Sequence, residues 1–122
     1  MADKKTILIV EDDYDSQQLF YYLVRKQYIP VMVTNVADAL SEIKKQPIHL
    51  VLLDLSLSGS DDGLTISRFM KKEDDYKSIP IIAVTAHAFE TDHENCMEGG
   101  CDEFITKPII RQDLMAKIDA MI

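Results

Sequence analysis

Short runs of large apolar residues alternate along this chain with longer stretches in which apolar positions recur every three or four residues. The runs are Ile7-Leu8-Ile9-Val10, Leu50-Val51-Leu52-Leu53 and Ile81-Ile82-Ala83-Val84, with a shorter one at Phe104-Ile105. Unbroken apolar runs of this length predict strands buried on both faces, as in a parallel sheet. Strands are expected over 6–10, 31–35, 49–54, 81–85 and 103–106. The intervening stretches predict helices over 14–28, 36–45, 63–74, 88–98 and 111–121. Phe20, Leu23 and Val24 share one helix face, as do Val36, Leu40 and Ile43, and Leu114, Ile118 and Met121. Phe89, His93, Cys96 and Met97 line one face of the fourth helix. Pro30, Pro47 and Pro80 each precede a strand, where a fixed φ suits an extended start. Gly99-Gly100 fits a helix C-terminus that needs a left-handed residue. Strict alternation of strand and helix implies right-handed crossovers and a doubly wound α/β sheet with helices on both faces.

The apolar runs end in polar groups. Leu53 is followed by Asp54, Val10 by Glu11-Asp12-Asp13, Val84 by Thr85, and Thr106 by Lys107-Pro108. A carboxylate inside an apolar layer is costly to bury ionised. At the last position of a strand it instead faces the crevice beyond the carboxyl ends of the sheet, where open α/β folds bind ligands. Acids, a hydroxyl and an amine are thus expected along one sheet edge.

Composition narrows the class. The 122 residues suit one domain over 1–122, and a hydrophobic content of 47% argues against disorder. A formal net charge of -8 argues against a nucleic-acid surface. Asp61-Asp62 and Glu73-Asp74-Asp75 read as solvated charge. Cys96 and Cys101 form neither a CxxC pair nor a disulfide framework, and with His87 and His93 they match no common zinc spacing. No run reaches a membrane span and no secretory signal opens the chain, so a cytoplasmic location is expected. The chain stops with the last helix, and no output domain is expected after it.

Two or three carboxylates within about 4 Å repel by a few kcal/mol each at an effective dielectric near 20. They raise one another's pKa unless a cation intervenes. An all-oxygen site suits Mg²⁺, which favours one or two carboxylates, several waters and a phosphate oxygen. With such an ion Asp54 stays ionised and can act as a nucleophile toward a phosphoryl group. Lys107 offers a compact positive charge and Thr85 a hydroxyl donor. The backbone of Leu55-Ser56 and of Ala86 offers N–H groups to the same oxygens.

In this order the residues resemble the receiver domain of two-component response regulators. The motifs are ILIVEDD at 7–13, LVLLDLSLSG at 50–59, IPIIAVTAHA at 79–88 and GCDEFITKPI at 100–109. The resemblance implies a flavodoxin-like, five-stranded sheet of order 2-1-3-4-5. It implies that Asp54 accepts a phosphoryl group from a histidine kinase or histidine phosphotransfer protein, as a signalling domain that catalyses only its own phosphorylation and dephosphorylation. Glu11 and Asp12 match the acidic pair for Mg²⁺, with Asp54 and the backbone carbonyl of Ser56 completing the protein ligands. Thr85 matches the switch hydroxyl, Lys107 the family's lysine, and Phe104 the aromatic switch position. The Lys107–Pro108 peptide is expected to be cis. Phosphorylation would change the surface of the fourth helix, fifth strand and fifth helix, which a downstream protein target or a second copy then reads. Neither nucleic acid nor membrane is an expected partner, and the domain would be a monomer or a phosphorylation-dependent dimer.

Three departures from the family pattern stand out. Ser58 replaces a common proline, the stretch Gly59–Gly63 is one residue longer, and Phe104 lacks a tyrosine's hydroxyl. Ser56 and His87 fall on positions that flank the path of attacking water, so they are expected to influence phosphoryl lifetime. A haloacid-dehalogenase-like phosphatase would need a general acid two residues after its aspartate, where Ser56 stands. A flavodoxin-type cofactor binder would need a phosphate loop where Glu11-Asp12-Asp13 would repel phosphate.

Overall fold

The computed structural model describes residues 4–55, 62–86, 94 and 97–122. Five parallel strands form one sheet in the order β2-β1-β3-β4-β5. They are β1 (Thr6–Val10), β2 (Ile29–Val33), β3 (Leu50–Asp54), β4 (Ile81–Thr85) and β5 (Glu103–Thr106). Four helices lie within the described residues: α1 (Tyr14–Val24), α2 (Val36–Lys45), α3 (Leu64–Lys72) and α4 (Arg111–Met121). The helix expected over 88–98 falls mostly outside them, although Glu94, Met97 and Glu98 are helical. This is the flavodoxin-like order expected from the sequence.

β1, β3 and β4 are buried at every position, which is why their sequences do not alternate. Each strand sends successive side chains to opposite faces. Leu8, Val10, Val51, Leu53, Ile81 and Ala83 pack with Ala39 and Ile43 of α2 and Ile66 and Met70 of α3. Ile7, Ile9, Leu50, Leu52, Ile82 and Val84 pack with Phe20 and Val24 of α1 and Leu114 and Ile118 of α4. Two cores thus sandwich the sheet.

Several element borders differ from expectation: β2 ends at Val33 rather than 35, β3 begins at Leu50 rather than 49 and α3 spans Leu64–Lys72 rather than 63–74, and two further shifts have a clear cause. β2 begins at Ile29 rather than 31, so Pro30 lies inside it, paired with Ile7. The Ile29 amide donates to the Lys5 carbonyl at 2.8 Å and the Val33 carbonyl accepts from Glu11. Odd-numbered residues therefore face β1, and the amide position of Pro30 faces the open edge, where a missing donor costs nothing. α1 ends at Val24 rather than 28, capped by Arg25. Tyr28, four residues after Val24, keeps the helical spacing but leaves the helix. It enters the α1–α4 core and its hydroxyl donates to the Asp119 carboxylate.

At the other end of the sheet a tight junction joins α3 to β5. The buried Ser67 hydroxyl donates to the Gly99 carbonyl at 2.6 Å, and Gly100 takes a φ of 102°. Lys71 donates to the Asp102 carboxylate at 3.0 Å, and the same oxygen accepts the Ile81 amide at 2.8 Å. Among the described residues no helix is long and apolar enough to cross a membrane.

Candidate functional site

The site is built where the sheet's ladder runs one step past its strands. The Glu11 amide donates to Val33, the Leu55 amide to Val84 and the Lys107 amide to Thr85, at 2.8–3.0 Å. These bonds hold the first residues after β1, β3 and β5 in sheet geometry before the chain turns away. Glu11, Asp54 and Thr85 are buried polar residues there, with Glu11 fully buried and Asp54 only 2% exposed. Asp12 is partly buried and Asp13 is exposed.

One carboxylate oxygen from each of Glu11, Asp12 and Asp54 lies within 4.8 Å of the others. At that separation each ionised pair repels by roughly 3–4 kcal/mol at an effective dielectric of 20. Lys107 offsets part of this. Its ammonium lies 3.2 Å from Asp54 Oδ2 and 3.6 Å from Glu11 Oε2. One ammonium facing three acids leaves negative charge in surplus. The Glu11 carboxyl accordingly moves from 4.5 up to about 7, through burial first and then a hydrogen bond and charge repulsion from Asp54. The Asp13 amide and the Lys107 charge pull it down less strongly. For Lys107, burial favours the neutral amine, but the charges of Asp54 and Glu11 outweigh it and hold its pKa above the ordinary value.

Asp13 has a separate local task. It is the N-cap of α1, and its carboxylate accepts the Ser16 amide at 3.0 Å. That bond holds its pKa below the usual carboxylate value. Asp13 also returns its own amide to Glu11 Oε1 at 3.0 Å. The other Glu11 oxygen, Oε2, is buried and makes no hydrogen bond, its one cationic neighbour among the described residues being the Lys107 ammonium at 3.6 Å. A buried carboxylate oxygen so thinly satisfied beside two further carboxylates fits a hard divalent cation.

The structure brings Glu11, Asp12, Asp54 and Lys107 together, and places Thr85 at the end of the neighbouring strand β4. Phe104 is half-buried and packs against the core beneath α2 and α3. The Lys107–Pro108 peptide is cis. Ser56, Ser58, Gly59 and His87 lie outside the described residues, so the Ser56 carbonyl and the loop departures have no structural counterpart here. Gly63 sits close by: a Cβ there would stand 3.0 Å from the Asp54 carbonyl oxygen. A depression of about 440 Å³, lined by Glu103, Phe104, Thr106, Asp113 and Lys117 among others, runs along β5 and α4. Sequence reasoning missed Gln17, whose side-chain amide donates to the Glu11 carbonyl at 2.6 Å. Its only signal was a position on the first turn of α1.

The family model for the response regulator receiver domain matches residues 7–119. The polar-differentiation response regulator DivK of Brucella anthropi is 35% identical over 106 residues, covering 86% of this chain and 85% of its own. The receiver domain of sensor histidine kinase PA1611 from Pseudomonas aeruginosa superposes with a TM-score of 0.88 at 28% identity, covering 98% of both chains. That structure carries a magnesium ion coordinated in its active-site cleft. The chemotaxis protein CheY4 of Vibrio cholerae has the same fold, with a TM-score of 0.90 at 16% identity over 98% of this chain and all of that one.

Proposed function

Because this chain belongs to the response regulator receiver domain family, a family of two-component signalling domains, we propose that it is a phosphorylation switch whose phosphoacceptor is Asp54. The observation that carries the reading is the Lys107 ammonium 3.2 Å from the buried Asp54 carboxylate, beside two further acids.

Glu11, Asp12 and Asp54 would hold Mg²⁺, with the Ser56 carbonyl as the fourth protein ligand. The ion supplies charge neutralisation that lets three carboxylates and a phosphoryl group share one cleft. An Asp54 carboxylate oxygen attacks the phosphorus of a phosphohistidine on a histidine kinase or phosphotransfer protein. The O–P bond forms as the P–N bond breaks, and the departing imidazole keeps the nitrogen electron pair. Lys107 and the Thr85 hydroxyl bind oxygens of the transferred group, where positioning and charge stabilisation do most of the work. Water later attacks the acyl phosphate and restores the carboxylate, a step whose rate Ser56 and His87 would influence. In this reading the domain catalyses only its own phosphorylation and hydrolysis.

Movement of Thr85 toward the phosphoryl group frees space that Phe104 can enter. This shifts the population toward a state with a changed surface along 88–98, β5 and α4. A downstream protein target, or a second copy of the domain, reads that surface. The depression along β5 and α4 supports this choice of face.

Incubation with acetyl phosphate and Mg²⁺, followed by intact-mass measurement, tests the assignment. Wild-type protein should gain one phosphoryl group and Asp54→Asn none. Lys107→Ala should slow uptake by at least about tenfold, in line with loss of a charge at a transferring phosphoryl group. Phosphorylation of Asp54→Asn at the wild-type rate would remove Asp54 from its role.

A further inference from the structure

We propose that Gln17 is a positioning residue for the metal-binding acids, acting through the backbone rather than by contact with the ion. The inference rests on the reading of the site given above.

Only one peptide plane separates the two acids of the pair, that between Glu11 and Asp12. Its oxygen is the Glu11 carbonyl, and Gln17 Nε2 donates to it at 2.6 Å. The Glu11 amide is already fixed by Val33, and the Glu11 side chain by the Asp13 amide. The Asp12 side chain hangs from the next Cα, so the tilt of this plane sets where its carboxylate points. Gln17 is itself anchored, because its backbone amide donates to the Asp13 carbonyl at 2.9 Å in the first turn of α1. The result is a closed loop. Asp13 starts the helix through Ser16, the helix presents Gln17, and Gln17 reaches back to the strand end that precedes Asp13.

Without that bond the peptide can rock, and its partly buried carbonyl loses a donor. Rocking spreads the Asp12 carboxylate over positions that do not face Glu11 and Asp54. Ligand sites depend on such supporting bonds nearly as much as on the ligands themselves.

Calorimetric titration with MgCl₂ alone decides the matter, since it needs no phosphodonor. Gln17→Met keeps the length and removes the donor, and it should weaken Mg²⁺ binding about fivefold, the worth of one neutral hydrogen bond. Gln17→Asn keeps the amide but is one methylene too short, and it should show a similar loss. Gln18→Met, at an exposed neighbouring position of the same residue type, should bind as wild type does. A purely structural role would lower the melting temperature of the Gln17 variants and leave the dissociation constant, measured well below melting, unmoved. Wild-type affinity in both Gln17 variants would overturn this inference alone. Absence of Mg²⁺ binding by the wild-type protein would overturn the site reading, and this inference with it.

Discussion

At the scale of single residues, the site is a problem of surplus negative charge. Glu11 carries it as a raised pKa, about 7 against 4.5 for the ordinary group, caused by burial and then by Asp54. The folded state therefore holds a proton that the unfolded chain releases above about 4.5. This contribution to stability is complete below that pH and is lost as the pH rises through 7. In Mg²⁺-free buffer the protein should lose stability between about pH 5 and 8. The loss is at most about 3.5 kcal/mol, since a tenfold difference in proton affinity between the folded and unfolded chain is worth about 1.4 kcal/mol. Glu11→Gln should flatten that slope, and urea midpoints across the range would show whether it does. Excess Mg²⁺, by favouring the ionised form, should flatten it as well. The strand-end positions of Glu11, Asp54 and Thr85 were legible in the sequence because each directly follows an apolar run, and a polar residue in that place is conspicuous. Gln17 was not legible, because an amide on a helix surface carries no signal until the strand end it reaches back to is known.

At the scale of elements, the strands buried on both faces were the most readable parts, since β1, β3 and β4 have no solvent side to interrupt them. Borders failed where a residue satisfied two rules at once. Pro30 was expected just before a strand but lies inside an edge strand, and Tyr28 kept helical spacing after the helix had ended. The turn at Gly99-Gly100 was expected from composition, and the structure adds its cause. A Cβ on Gly100 would stand 2.6 Å from Lys71 Cγ and 3.2 Å from the Ser67 carbonyl oxygen, at a φ of 102°. Gly100→Ala should thus cost about 1–3 kcal/mol in strain and displacement. It should also disturb the Lys71–Asp102 bond that pins the start of β4. A drop in the urea midpoint with an unchanged m-value would bear this out, and an unchanged midpoint would refute it.

At the scale of the whole molecule, a doubly wound sheet gathers residues far apart in sequence at one rim, and among the described residues β2 and β5 are paired on one side only. The order 2-1-3-4-5 follows from parallel crossovers plus the family pattern, and periodicity alone would not have given it. The outer strands β2 and β5 are not equivalent. In β2 the outward amides belong to even-numbered positions, and one of these is Pro30, which leaves Met32 as the outward donor of that strand. Pro30→Thr restores the missing N–H, and it should raise self-association at high concentration, visible as a larger mass by light scattering; a mass equal to the wild type's would contradict this. Polarity of this kind limits growth. If Pro30 closes the β2 side to strand addition, the sheet can be lengthened from the β5 side only, and copies that met by strand addition would stop at pairs and could not propagate into a filament.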